Sequence, residues 1–336
     1  MIKLSIFISA MLLVTGCSST SSKPQAARQI DRYQVINLGP SFSLFWQKAK
    51  GLTFREQIKI WNSIVEEPNQ SFYDGMVWQK STNPKWEERK LRLLKDSFAN
   101  YPVLYPKIIA DFDHFNSTLK TQIDKFHSYF PDSEFNLPIY AAPTASFNGK
   151  GGEGGDSAGK PGQTVLAFGI DMSVALKNDP DVLYSHELFH IYHTSAIGLN
   201  EEIFTKSGRL SLPLWLEGLA TYVSQQMNPT ASSEAILMDS SLSKLSRDDV
   251  RSLSRLFLND VEQKAFDVSQ PGIYKKWFAI DPAFKLPTHY PMRSGYFLGL
   301  NVVTELAKTH SLAEMVHWHV TEIHSNVKTA LFALAR

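Results

Sequence analysis

Apolar residues recur at helical spacing over much of the chain. In LTFREQIKIWNSIVEE, Phe54, Ile58, Trp61 and Ile64 fall three or four residues apart and share one face, as in an amphipathic helix. The run KWEERKLRLLKDSFANYPVLYPKIIADFDHFNSTLKTQIDKFHSYF continues in that style, so residues 41–136 read as an N-terminal helical region. Pro102 and Pro106 are expected to break or kink it, because each removes a backbone N–H and crowds the preceding turn. Two stretches then change period. NLPIYAAPTASFNG and QTVLAFGIDMS carry alternating or continuous apolar residues, which predicts strands, and the glycine-rich GKGGEGGDSAGKPG between them reads as a flexible loop. Helical spacing returns after Met172, most clearly in LPLWLEGLATYVSQQM, SRDDVRSLSRLFLNDVEQ and GYFLGLNVVTELAKTHSLAEMVHW. No internal repeat is visible. The balance predicts an α+β fold dominated by helices. A small sheet should precede the helix that opens near Pro180, within a second region spanning 137–336.

That helix carries the first candidate chemistry. Asp179 is a plausible N-cap and Pro180 suits the first helical position. His186-Glu187-Leu188-Phe189-His190 follows, an H-E-x-x-H motif. Four residues advance a helix by about 400°, so the two imidazoles stand about 40° apart, one turn from each other, and can meet at one cation. Glu187 lies about 100° round from His186, beside the cation's open position, where it can accept a proton from water. His193 falls within about 20° of His186 but about 10 Å along the axis, too far to share one ion from a straight helix. It reads as a packing residue or one that supports a ligand.

A third ligand comes from another segment. LPLWLEGLATY is apolar nearly all round, so its helix should be buried and Glu217 with it. A lone carboxylate in such a place is costly unless a cation or several donors meet it. Gly218 beside it would let a neighbouring helix come close. The only cysteine of the chain is Cys17, so no thiolate cluster is available and any metal site must use His, Asp or Glu.

HELFH followed by WLEGLA resembles the gluzincin zinc peptidases, in which a glutamate on a second helix completes the site. The glycine-rich loop and strand before the motif, and RSGYFLGLNVV after it, are similar to a narrower group of bacterial predicted Zn-dependent proteases with an E-G-L-A helix and a later G-Y-x-x-G helix. The likeness covers residues 137–318. It implies a zincin-like fold, Zn²⁺ held by His186, His190 and Glu217, and Glu187 as the general base for attack of water on a peptide carbonyl. QTVLAFGID would be the strand beside which an extended peptide substrate lies. Tyr296, His289, Tyr290 and Arg293 are candidate donors to the oxyanion, with Tyr296 favoured. Two departures argue against thermolysin-like specificity. The interval from His190 to Glu217 is longer, and Thr221 stands where that branch has an acidic residue. His317, His319 and His324 lack the spacing of a ligand pair and read as a solvated helix face.

The remaining features bound the setting. The 336 residues suffice for a sizeable core, and a net charge of +1 gives no reason to expect a nucleic-acid partner. Gly154, Gly159 and Lys160 fit the start of a phosphate-binding loop, but Pro161 replaces the Ser or Thr that would face Mg²⁺, so no nucleotide is expected. MIKLSIFISAMLLVTGCSST has a basic start, an apolar stretch too short to span a bilayer, and small residues before Cys17. It looks like a bacterial lipoprotein signal: residues 1–16 removed, Cys17 lipidated, and 17–40 a tether. Ser18 after the cysteine resembles the sorting pattern for the outer membrane of the cell envelope. The leading expectation is a lipid-anchored zinc metallopeptidase. The alternatives are a non-catalytic zinc-binding lipoprotein acting as scaffold or chaperone, and a zinc hydrolase of non-peptide amide bonds. Glu187 separates the first from the second, since a structural site needs no base.

Overall fold

The almost unbroken apolar runs at 138–142 and 165–169 become the two inner strands of a four-stranded sheet. The computed structural model describes residues 32–153, 164–199, 203, 208–265, 272–280, 282–284, 286 and 289–336. The chain from Asp31 to Arg336 packs as one unit, so regions 41–136 and 137–336 belong together. The strands are β1 (Gln34–Asn37), β2 (Pro138–Ala142), β3 (Gly149–Glu153) and β4 (Thr164–Gly169), in spatial order β1-β2-β4-β3. The β1–β2 and β2–β4 pairs are parallel, with Ile139 opposite both Val35 and Leu166. The β3–β4 pair is antiparallel, with Lys150 opposite Ala167. Burial of β2 throughout and of β4 from Val165 onward is what parallel strands covered on both faces require.

Two boundaries differ from expectation. The segment 17–40, expected to be a tether, contributes β1, which its pairing with β2 draws into the sheet. The glycine-rich stretch expected to be a loop contributes β3. Glycine is disfavoured in strands, which hides this one from its composition.

The longer helices before β2 are α1 (Gly39–Ala49), α2 (Phe54–Trp61) and α3 (Trp86–Tyr129), with short helical turns between α2 and α3. Thr53 starts α2 by exchanging hydrogen bonds with Glu56, whose carboxylate accepts from the Thr53 backbone N–H at 2.9 Å. The break expected at Pro102 and Pro106 does not occur, and α3 runs unbroken for 44 residues. Both prolines lie on its exposed face, where water can satisfy the carbonyls they leave unpaired. The opposite face, from Leu94 through Phe98, Tyr101, Ile108 and Phe112 to Leu119, is buried. There it joins an aromatic cluster in which Phe42 meets Tyr101 edge-on at 5.1 Å and Phe45 meets Trp61 likewise at 5.1 Å.

The same helix ties this cluster to the elements that follow the sheet. Tyr101 donates to Asp171 of α4 (Ile170–Ala175) at 2.8 Å. Gln122 donates to Asp181 of α5 (Pro180–Ala196) at 2.8 Å. Asp171 also accepts from the backbone N–H groups of Thr144 and Ala145, at 2.8 and 2.9 Å. Burial raises its pKa against these donors. Helices α6 (Ser211–Met227), α7 (Arg247–Asp260), α8 (Gly272–Phe278), α9 (Ser294–Leu306) and α10 (Val320–Leu334) complete a helix-rich α+β architecture around a small mixed sheet. Among the described residues no helix is long and apolar enough to cross a membrane.

Candidate metal centre

Helix α5 begins where the sequence places it. The Asp179 side chain accepts from the Asp181 backbone N–H at 2.9 Å, and Pro180 occupies the first turn. The helix is enclosed over Val182–Phe189 and packs against β3 and α6. His186 and His190 stand one turn apart with nearly perpendicular rings and Nε2 atoms 3.0 Å from each other. Helix α6 brings Glu217 to them, its Oε2 lying 3.3 Å from the His186 Nε2 and 3.4 Å from that of His190. A bare-backbone crossing fixes this placement. A Cβ on Gly218 would come within 2.5 Å of the Gly299 carbonyl on α9, and one on Gly299 within 2.7 Å of the Leu214 carbonyl. Only glycines let the two helices approach so closely.

The three ligand atoms thus form a nearly equilateral triangle. Tetrahedral coordination with bonds of about 2.0–2.1 Å separates ligand atoms by roughly 3.3–3.4 Å, so the triangle fits one face of a zinc-sized tetrahedron. The Glu217 Oε2 has no hydrogen-bond partner, and neither does the buried Nδ1 of His186. An orphaned carboxylate oxygen aimed at two imidazole nitrogens is expected where a cation belongs. The His186 side chain is sealed at 3 % exposure, whereas His190 and Glu217 keep 19 % and 16 %, so the group opens towards solvent on their side. His186, His190 and Glu217 can together hold a metal ion.

Charge at the centre follows from burial and proximity. Burial pushes the His186 imidazole down to about 4, against the pull of Glu217. For His190, burial is outweighed by the charges of Glu217 and Glu187, and its pKa is raised. Glu217 is held well below the ordinary carboxylate range, because the two histidines overcome the opposing effect of burial. Glu187 is pushed up to about 7 by burial, with Glu217 adding to the shift and His190 and Arg293 opposing it.

Glu187 sits against the edge strand β3. A Cβ on Gly149 would come within 2.5 Å of the Glu187 Oε1, and one on Gly151 within 2.8 Å of the Ile191 side chain. The glycines at 149 and 151 therefore leave that part of the β3 face bare, and α5 packs against it. This corrects the expected substrate strand. Thr164–Gly169 of that segment forms β4, which is paired on both sides, by β2 and by β3, and has no free edge for a peptide. The edge beside Glu187 belongs to β3. Sequence reasoning missed it, although glycines two apart directly before a strand were a usable signal.

Of the proposed oxyanion donors, two reach the centre. The Tyr296 ring lies 6.2 Å from His186, nearly parallel to it, and the Arg293 guanidinium lies 4.0 Å above the Tyr296 ring. Burial, with the charge of Glu217, raises the Tyr296 pKa well above its ordinary value, so the phenol keeps its proton. His289 is exposed and pairs its ring with buried Tyr290 at 4.6 Å. His193 is fully buried, stacks on Phe189 at 5.1 Å, and has no hydrogen-bond partner on either ring nitrogen. Packing is its role. Thr221 donates to the backbone carbonyl of Glu217 at 2.7 Å and so steadies the ligand helix. His317 and His319 are exposed, while His324 is half-buried between Ser211 and Glu262. Cys17, Gly154, Gly159, Lys160 and Pro161 lie outside the described residues. Comparison with family models, curated proteins and solved structures found no match.

Proposed function

We propose that the protein is a zinc metallopeptidase of zincin-like fold, acting on peptide or protein substrates and lipid-anchored through Cys17 to the bacterial cell envelope. The observation that carries the peptidase reading is the position of Glu187. Its carboxylate lies against the edge strand at Gly149, on the helix that carries His186 and His190 of the His-His-Glu triangle. A structural site has no use for a buried carboxylate that is not a ligand. The mixed imidazole and carboxylate donors and the triangle's dimensions favour zinc over the hard, larger calcium.

When bound, zinc supplies a Lewis acid that acidifies water and polarises a carbonyl. The residues of the chain then divide the work. Glu187 accepts the proton of the attacking water and delivers it to the leaving amine. The outer edge of β3 offers backbone N–H and C=O groups to an extended peptide and so lays the scissile bond along α5. Tyr296, protonated at neutral pH, is placed to donate to the developing oxyanion.

Two variants measured side by side test the reading. Glu187→Gln should retain one zinc per chain and lose at least about 10²-fold in turnover of a responsive peptide, the lower end for removal of a general base. Glu217→Gln should weaken zinc binding itself. Equal activity in wild type and Glu187→Gln would overturn the mechanism. Unchanged zinc affinity in Glu217→Gln would remove Glu217 from the ligand set.

A further inference from the structure

Arg293 is a cation without an evident counter-charge. Its residue is 8 % exposed, and among the described residues no carboxylate lies within ion-pair reach of it. Lys90 pairs with Glu66 and Lys276 with Asp260 at 2.6 Å, whereas the half-buried Lys150 donates to the Met76 backbone carbonyl at 3.3 Å. Burying an unmatched charge is costly, so such a group is retained where something outside the chain meets it. The backbone also holds Arg293 in a conformation that disfavours most side chains, φ 62°, at the residue that leads into α9. Tyr296 lies under the guanidinium, 4.0 Å from it, so the plane of the charge is held over an aromatic face. The Tyr296 ring that carries the guanidinium lies 6.2 Å from the His186 ring, which places the charge near the candidate metal centre.

We propose that Arg293 is a specificity-determining residue that receives a carboxylate on the residue immediately after the scissile bond. This inference rests on the peptidase reading. Three bonds separate the scissile carbonyl carbon from the carboxylate carbon of a C-terminal residue, a span under about 4 Å. A cation next to the general base is within that reach. An acidic side chain on the same residue presents the same group one bond further away. A free N-terminus would instead be repelled, so Arg293 does not suit a subsite for the amino end of a substrate.

The test uses three N-acetylated tripeptides: one ending in phenylalanine with a free carboxylate, its C-terminal amide, and an amide ending in aspartate. Turnover is measured with the zinc-loaded wild type. Binding is measured by calorimetry on zinc-loaded Glu187→Gln. Arg293→Asn removes the charge with a residue that tolerates left-handed backbone, and Arg293→Lys keeps the charge but loses the planar fork. At least one carboxylate peptide should bind, and show a KM, about 10-fold or more better than the plain amide. Arg293→Asn should abolish that preference, and Arg293→Lys should keep part of it. Preference for the free acid alone identifies a terminal carboxylate; preference for the aspartate amide identifies an acidic side chain. Equal binding of all three peptides, or an unchanged preference in Arg293→Asn, would overturn the proposal. So would an equal loss of kcat on all three with binding unaltered, which would make Arg293 a donor to the oxyanion. If Arg293→Asn does not fold, the peptide comparison between wild type and Arg293→Lys decides. Arg293-dependent binding of a carboxylate peptide that the wild type never cuts would leave Arg293 as a carboxylate-binding group, but would remove the peptidase reading and with it the placement next to a scissile bond.

Discussion

The contact between Gly149 and Glu187 can be tested with a single methyl group. A Cβ at Gly149 would lie 2.5 Å from the Glu187 Oε1, 2.6 Å from its Cγ and 2.7 Å from its Cδ. Ordinary non-bonded contacts at a carbon atom need roughly 3.3–3.8 Å, so the carboxylate must retreat by about 1 Å. The backbone of α5 is fixed between β3 and α6, and the movement therefore falls on the Glu187 side chain. Displacing a reacting group by about 1 Å can cost about 10²-fold in rate. Overpacking adds about 1–3 kcal/mol of instability at most. Zinc content should not change, because none of the three ligands touches the new methyl. Gly151→Ala is the matched control on the same face of the same strand. Its Cβ meets only the Ile191 side-chain tip at 2.8 Å, which can rotate away, so activity should stay within a few-fold. Zinc per chain, thermal midpoint and kcat/KM on one peptide are measured for both. Equal activity of Gly149→Ala and Gly151→Ala would refute the placement of Glu187 as the base against β3.

Gly299→Ala inserts a methyl 2.7 Å from the Leu214 carbonyl and 2.8 Å from the Gly218 Cα, where backbone and not a side-chain tip must yield. It should cost about 1–3 kcal/mol in denaturant unfolding and weaken zinc retention against a chelator; unaltered zinc retention would mean that the crossing does not position Glu217. Lys150 is pushed down to about 8 by burial, with the charge of Arg89 adding to the shift. Its folded pKa is thus depressed, and the stability it contributes is present above the unfolded value near 10.5 and lost as pH falls through about 8. Lys150→Met should accordingly stabilise the fold by about 1–2 kcal/mol at pH 7 and by little near pH 10.5, and a gain independent of pH would contradict this. Cys17→Ser should abolish lipid labelling and membrane retention, and a variant still labelled and sedimenting with membranes would exclude lipidation at that residue.

The group that could hold a metal ion was legible because its signal is local. His186 and His190 are related by helix geometry alone, and Glu217 stood out as a charge in an apolar helix. The strand at Thr164–Gly169 was legible for a similar reason, as an apolar run of the right length. What could not be read depends on partners distant in sequence. Gln34–Asn37 becomes a strand only because Pro138–Ala142 lies beside it. β3 has the composition of a loop, and its pairing with β4 together with the space taken by Glu187 explains its glycines. Local propensity reads the two prolines of α3 as a break or kink; no break forms, because buried contacts on the opposite face hold the helix together. Arg293 gave no sign of being buried, since an arginine ahead of an apolar helix ordinarily reads as a surface residue.

The continuity of α3 sets a limit on how this protein can be divided. From Tyr101 to Gln122 the helix advances about 30 Å, and each end grips a different part of the later chain, Asp171 at one end and Asp181 at the other. A gene fragment that opens at Leu137 would encode every candidate ligand, the proposed general base Glu187 and Arg293. It would still lack the beam to which α4 and α5 are fastened, and would expose Phe168 and Tyr184, which pack on Phe115 of that beam. The motif-bearing half is therefore not a movable module. Recombination, library design or annotation that cuts at the motif's edge would carry away the chemistry and leave behind what holds it in place.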